Sequence, residues 1–140
     1  MTQFSTSIDI EASPERVWSV IIDVERWPHW TPTVTSLVLL DRAPFAVGSR
    51  ARIRQPKLPT ALWEVTQLDE HAREFTWVNR KPGICATARH VVEARGNGSR
   101  ATLSMEFSQI LGPLIARLTR SLTTQYMAIE AAGLKARSEG

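Results

Sequence analysis

The feature that most constrains this chain is a run of six short segments between residues 34 and 110 in which apolar and polar residues alternate. A period of two is typical of β-strands with one buried face. Turn residues separate the segments, and Gly96-Asn97-Gly98 is the strongest hairpin signal. Because the breaks leave no room for crossover helices, we predict an antiparallel sheet. The six segments are VTSLVLLD, SRARIRQ, ALWEVTQLDE, REFTWVN, ICATARHVVEA and RATLSMEFSQI.

Helical patterns flank these strands. On the N-terminal side, a first strand over residues 3–11 leads into a helix that Ser13 caps and Pro14 begins, followed by a helical turn over residues 23–29. On the C-terminal side, the spacing predicts one long helix over residues 111–137. The apolar stripe of that helix consists of Leu111, Ile115, Leu118, Leu122, Tyr126 and Ile129.

Composition indicates one globular domain spanning residues 1–140, since 43% of the residues are apolar and 22% are charged. The single cysteine, Cys85, excludes an intramolecular disulfide and a cysteine-cluster metal site. A lone thiol suits a reducing compartment, and neither a signal peptide nor a membrane span is recognisable. We therefore expect a cytoplasmic protein without stable membrane insertion, either a monomer or a homodimer.

The positive charge of the chain first suggests a nucleic-acid partner, because the net charge is +3 and the pI is about 9.6. The arginines are nevertheless spread along the chain rather than grouped into a phosphate-binding run. Arg50, Arg52 and Arg54 alternate, so they share the solvent face of one strand. We therefore expect no nucleic-acid partner.

All five tryptophans lie in the first 77 residues, and two of them occupy an apparent turn in the stretch DVERWPHWTPTV. Loops normally carry polar residues, so Trp27 and Trp30 need an explanation. Either they plug the end of a core, which we favour, or they line the entrance of a cavity.

The order of elements and several stretches of this sequence resemble the START-like, or helix-grip, superfamily, and most closely its polyketide cyclase/dehydrase and lipid-transport family. The matching stretches cover nearly the whole chain: IEASPERVWSVIIDVERWPHWTPTV, VGSRARIRQP, WEVTQLD, FTW, RHVVEARGNGSRATLSMEF and LGPLIARL. The resemblance implies an α+β fold in which a curved, seven-stranded antiparallel sheet grips a long C-terminal helix. It also implies two short helices after the first strand, a mostly apolar cavity, and Trp30 at a position where relatives often carry tryptophan.

Strand alternation predicts which side chains face this cavity, because the more apolar set of each strand should face the helix. The small residues Ala86, Ala88 and Ala101 favour open volume. A few polar residues, including Gln55, Gln67 and Asn79, join the inward set, whereas no Asp, Glu or Lys belongs to the predicted inward set. The predicted ligand-binding residues are Trp30, Ile53, Gln55, Trp63, Val65, Phe75, Trp77, Ala86, Ala88, His90, Leu103, Met105, Phe107, Leu118, Leu122 and Tyr126.

The predicted function is binding of a hydrophobic small molecule, such as a polyketide, a lipid or another apolar metabolite, without a cofactor. The first alternative is a polyketide cyclase/dehydratase with His90 as acid/base and Tyr126 or Asn79 as donor to an enolate oxygen. For His90 a structural role remains the other interpretation. A second alternative is a protein-interaction module, which would expose a wide apolar patch. The three histidines lie on different elements, so no metal site is predicted.

Overall fold

A computed structural model describes residues 2–140 and shows one seven-stranded sheet. Every neighbouring pair is antiparallel, in the order β1-β7-β6-β5-β4-β3-β2, so the predicted helix-grip architecture is confirmed. The first strand pairs with the last because the helices between β1 and β2 carry the chain across to the far edge. The strands are β1 Thr2–Ile10, β2 Ser36–Leu39, β3 Arg50–Arg54, β4 Ala61–Asp69, β5 Glu74–Lys81, β6 Ile84–Arg95 and β7 Gly98–Ser108.

Two short helices follow β1, as predicted. Helix α1 spans Pro14–Ile22, and the Ser13 hydroxyl caps it by accepting a hydrogen bond from the Arg16 N–H at 3.2 Å. A 3₁₀ helix spans Val24–His29. The buried apolar face of α1, which includes Val17 and Ile21, anchors this connection to the core.

The C-terminal helix is divided into α2, Gly112–Leu118, and α3, Arg120–Glu139, so the prediction of one continuous helix is wrong. The division lies at Thr119, whose backbone departs from helical geometry. The Thr119 hydroxyl donates to the Ile115 carbonyl oxygen at 2.7 Å. Such bonds from threonine to the preceding turn compete with the helix ladder and bend helices. Of the predicted apolar stripe, Leu111, Leu118 and Ile129 are exposed, whereas Ile115, Leu122 and Tyr126 are partly buried.

Buried residues alternate with less buried ones along β1, β3 and most of β7, whereas residues 75–78 of β5 are all buried and the alternation changes phase within β4. The pairing between β4 and β5 shifts by one residue between Val65 and Gln67, which marks a β-bulge. Trp63 and Val65 are buried before the bulge, whereas Gln67 is exposed after it. The prediction that Gln67 faces inward is therefore wrong, since the bulge inverts the facing of the remaining residues.

Helix α3 packs closely against the backbone of Trp30, the residue that follows the 3₁₀ helix. A Cβ atom on Gly133 would lie 2.1 Å from the carbonyl oxygen of Trp30. Only glycine permits this approach without a shift of backbone. The contact holds the C-terminal half of α3 against the segment that follows the 3₁₀ helix.

Candidate functional site

The space between the sheet and the helices has two different halves. One half is filled by six rings, which we call the aromatic core: Trp18, Trp27, Phe45, Phe75, Trp77 and His90. Phe75 lies at its centre, with ring centroids 5.2 Å from Trp77 and 5.3 Å from Phe45. These are normal distances for aromatic pairs in contact, so this half is solidly packed.

The other half contains a cavity of about 260 Å³. Its walls come from the start of β4, the end of β5, the start of β6 and the end of β7, with α2 and α3 opposite. The residues that line it are Gln55, Leu58, Pro59, Ala61, Trp63, Asn79, Lys81, Ile84, Ala86, Met105, Phe107, Ile115, Thr119, Leu122, Thr123, Tyr126, Met127 and Glu130. Most of these side chains are apolar, as in ligand sites.

Seven of the sixteen residues predicted to bind a ligand line this cavity: Gln55, Trp63, Ala86, Met105, Phe107, Leu122 and Tyr126. Asn79, which was predicted as a donor to an enolate oxygen, lines it as well. Four further residues face inward and are buried, but do not line the cavity: Ile53, Val65, Ala88 and Leu103. Phe75, Trp77 and His90 lie in the aromatic core instead. Strand alternation predicts that these side chains face inward, but it does not predict whether their position along the strand meets the aromatic core or the cavity. Trp30 and Leu118 lie elsewhere.

His90 is enclosed by the aromatic core and does not line the cavity, contrary to the sequence-based expectation. Its Nδ1 atom lies 3.3 Å from the carbonyl oxygen of Phe75. Burial lowers the pKa of His90 to about 4, so the imidazole is neutral at physiological pH. The acid/base role of His90 stays a prediction that this placement does not favour.

Leu118 does not line the cavity, and the expectation that it does is corrected by the structure. Its side chain is 71% exposed, whereas Ile115 on the same helix lines the cavity. Exposed apolar side chains continue along this segment at Ile110 and Leu114. A protein-interaction role would need an exposed apolar surface of this kind. That role stays a prediction.

The tryptophan pair packs rather than forming an entrance to the cavity. Trp27 is buried in the aromatic core, and its indole N–H donates to the Ile21 carbonyl oxygen at 2.9 Å. Trp30 lies 5.7 Å from Trp27 between ring centroids and contacts α3 at Gly133. The pair therefore ties the 3₁₀ helix to α1 and α3, as the preferred interpretation required.

Glu130 is the residue that the sequence-based analysis missed, because it is a carboxyl group in the cavity wall. Its Oε1 atom accepts a hydrogen bond from the Thr33 hydroxyl at 3.0 Å. Desolvation raises its pKa to about 7. The expectation that inward carboxylates are absent is therefore wrong. A signal was present, since Glu130 lies one turn after Tyr126 and two turns after Leu122, on the same side of α3.

The two predicted donors already have backbone partners. The Tyr126 hydroxyl donates to the Pro56 carbonyl oxygen, and burial raises the pKa of this phenol. The Asn79 side-chain amide donates to the Leu62 carbonyl oxygen at 3.0 Å. Both side chains line the cavity, but each already donates a hydrogen bond to a backbone carbonyl oxygen of the protein. Their roles toward an enolate stay predictions.

Two further kinds of site receive no support within residues 2–140. No group of three or more His, Cys, Asp or Glu side chains is arranged to hold a metal ion in this range. In the same range, no helix combines the length and the apolar character required to span a bilayer.

A family model described as polyketide cyclase/dehydrase and lipid transport matches residues 1–139. Among solved structures, a protein from Thermus thermophilus superposes with a TM-score of 0.81 at 21% identity, over 98% of this chain and 97% of that one. An aromatase/cyclase from a Streptomyces species has a TM-score of 0.81 at 13% identity, with coverages of 99% and 93%. A START superfamily protein from Mycobacterium smegmatis has a TM-score of 0.74 at 18% identity, with coverages of 98% and 97%. At these identities the structural likenesses establish the fold alone. No protein of curated function matches the chain in sequence.

Proposed function

This chain belongs to the polyketide cyclase/dehydrase and lipid transport family, and from that premise we propose that it binds a hydrophobic small molecule between its sheet and its C-terminal helices. The observation that carries the proposal is the contrast between the two halves of the interior. The aromatic core fills one half, whereas small or flexible side chains such as Ala86 and Met105 leave the other half open.

The size of the cavity limits the ligand. Its volume of about 260 Å³ lies just below the ~300–1,000 Å³ typical of small-molecule sites. A dry cavity of ~150 Å³ holds one benzene ring. The cavity therefore suits a compact ligand with one ring and a short chain, or an equivalent aliphatic body. Each CH₂ group that moves from water into the cavity contributes about 0.8 kcal/mol to binding.

Native mass spectrometry of the purified protein, compared with the same sample after denaturation, tests this proposal. We expect a bound small molecule that is lost on denaturation, or added pentylbenzene that binds in a 1:1 ratio. Ala86→Leu adds three carbon atoms to the cavity wall and should weaken pentylbenzene binding at least tenfold. Ala132→Leu makes the same change on the exposed face of α3 and should leave binding unchanged. Equal binding by both variants would contradict the site.

A second candidate function is cyclase-type proton transfer on a bound poly-β-ketone. Such a reaction needs a group whose pKa lies near neutrality, and Glu130 meets this requirement in the cavity where His90 does not. The carboxylate would take the proton from a carbon between two carbonyl groups, and the resulting enolate would attack a second carbonyl carbon before water is lost. With a synthetic tetraketide thioester, the wild type should form cyclised product and Glu130→Gln should not. Equal product formation by the two proteins would remove Glu130 from this role.

A further inference from the structure

Glu130 lies between the cavity and a buried polar segment, residues 31–33. It follows Tyr126 by one helical turn on α3, and both side chains line the cavity. Behind its carboxyl group lie Thr31 and Thr33, which are 1% and 2% exposed. These two threonines come directly after the tryptophan pair, so the packing of that pair positions them.

The hydrogen bonds from the threonines have a defined direction. Each hydroxyl carries one proton. Since the Thr33 hydroxyl donates to Glu130 Oε1, the hydroxyl of Thr31 must donate to Thr33 across their 2.8 Å contact. This series of hydrogen bonds thus runs from Thr31 through Thr33 to Glu130, where the carboxylate oxygen Oε1 is the final acceptor. It favours the ionised carboxylate, and successive bonds of this kind strengthen one another.

The second carboxylate oxygen of Glu130 has no protein partner. Within residues 2–140, the fully buried side-chain atoms without partners belong to Trp18, Trp30, Trp63 and Ser138. Oε2 of Glu130 is not one of them, although it forms no hydrogen bond in the same range. It is therefore open to the cavity.

No cation of the described residues neutralises this carboxylate. The other titratable groups that line the cavity are Tyr126 on α3 and Lys81 on β5, and the 31–33 segment contributes none. Lys81 is exposed and forms no ion pair with Glu130. A carboxylate without a counter-ion in an apolar space is costly, and an opposite charge next to it offsets that cost.

We propose that the ligand of this cavity carries a cationic amine at its buried end, which pairs with Glu130 Oε2. This inference rests on the proposed binding function. A neutral hydroxyl group would satisfy the free acceptor but would leave the charge uncompensated, whereas an ammonium group does both. The aromatic rings in the wall, including Trp63 and Phe107, also attract cations through their faces. A protonated amine on a one-ring apolar body fits both the charge and the volume.

Three probes of similar size test the inference: 4-phenylbutylamine, 4-phenylbutan-1-ol and pentylbenzene. Calorimetric titration at pH 8 should show that the wild type binds the amine at least tenfold more tightly than the alcohol. Glu130→Gln should abolish that preference while it still binds pentylbenzene. Glu70→Gln makes the same chemical change at an exposed turn and should keep the preference.

The pH dependence of binding provides a second readout. Because the pKa of Glu130 is about 7, the ionised fraction rises between pH 6 and pH 8, and affinity for the amine should rise by about tenfold over this range. Thr33→Val removes the donor to Oε1, so it should weaken amine binding and shift the profile to higher pH. Affinity for pentylbenzene should not vary with pH.

The outcomes separate the two proposals. If the wild type binds pentylbenzene but prefers the alcohol to the amine, or if Glu130→Gln keeps the preference for the amine, the cationic ligand is overturned and the binding function stands. If none of the three probes binds, the proposed binding function fails, and the inference fails with it.

Discussion

The imidazole ring of His90 lies flat against the ring of Phe75, with centroids 4.2 Å apart and ring planes 10° apart. Trp27 and Trp77 enclose the pair at centroid distances of 5.5 and 6.0 Å from the imidazole. With 6% of its surface exposed, His90 behaves as one more aromatic ring of the core. Adding a proton to it would place a charge in a desolvated site, where no carboxylate of residues 2–140 offsets the cost.

This enclosure predicts a loss of stability in acid. The unfolded chain takes up a proton at His90 below pH 6.5, whereas the folded chain does so only below about pH 4. The free energy of unfolding should therefore fall between pH 6.5 and pH 4, by up to about 3 kcal/mol from this residue. Urea denaturation of the wild type and His90→Phe at pH 7.5 and pH 4.5 measures the difference. If both proteins lose the same stability, the imidazole is protonated in the folded state.

The carboxyl group of Glu130 should change the free energy of unfolding with pH in the opposite direction. Its pKa rises from an ordinary value of 4.5 to about 7 on folding, so the folded state holds the proton more tightly than the unfolded state. The free energy of unfolding should fall as pH rises from 4.5 to 7, by roughly 3 kcal/mol at most. Glu130→Gln should remove this fall and be more stable than the wild type at pH 8. A variant that is less stable than the wild type at pH 8 would contradict the desolvated carboxyl group.

Two phenylalanines on the inner face of the sheet should respond differently to truncation. Phe75 is the centre of the aromatic core, and Phe75→Ala should lower the free energy of unfolding by about 3–5 kcal/mol. Phe107 already borders open space, so Phe107→Ala should cost only ~2 kcal/mol. Chemical denaturation of the two variants gives both values. Equal costs would mean that the two halves of the interior are packed alike.

Gly133 should resist replacement by alanine, although alanine favours helices by about 1 kcal/mol. The new Cβ would collide with the backbone oxygen of Trp30, so α3 must move away from the 3₁₀ helix. We expect a net destabilisation of about 1–3 kcal/mol, seen as a lower Tm in thermal unfolding. Ala132→Gly on the exposed side of α3 calibrates the helix-propensity contribution. A rise in Tm for Gly133→Ala would contradict the close contact.

Local patterns predicted much of the fold and part of the site. Strand alternation depends on neighbouring residues alone, and it correctly predicted that Trp63, Ala86 and Phe107 face inward. It does not predict which of the inward-facing side chains border the cavity and which are packed against other residues. That depends on distant residues, such as Trp27 from the 3₁₀ helix, which packs beside His90, and Phe45 from a loop, which packs beside Phe75.

The helix was harder to predict than the sheet. Large aliphatic residues suggested a stripe through Leu118 and Ile129, yet both side chains are exposed. The true inner face of α3 includes Tyr126 and Glu130. The interruption at Thr119 is likewise not revealed by the spacing of apolar residues. A charged residue on that face contradicts the usual preference for apolar residues, which is why Glu130 escaped notice.

The separation of the interior into a filled half and an open half has an evolutionary consequence. The rings around Phe75 fill the first half, whereas Ala86, Met105 and Leu122 border the open space in which we propose that a ligand binds. Under that proposal, a mutation in the second group changes which ligand fits and leaves the first group intact. A lineage carrying this scaffold could then exchange one ligand for another in single steps, without first acquiring mutations that restore folding.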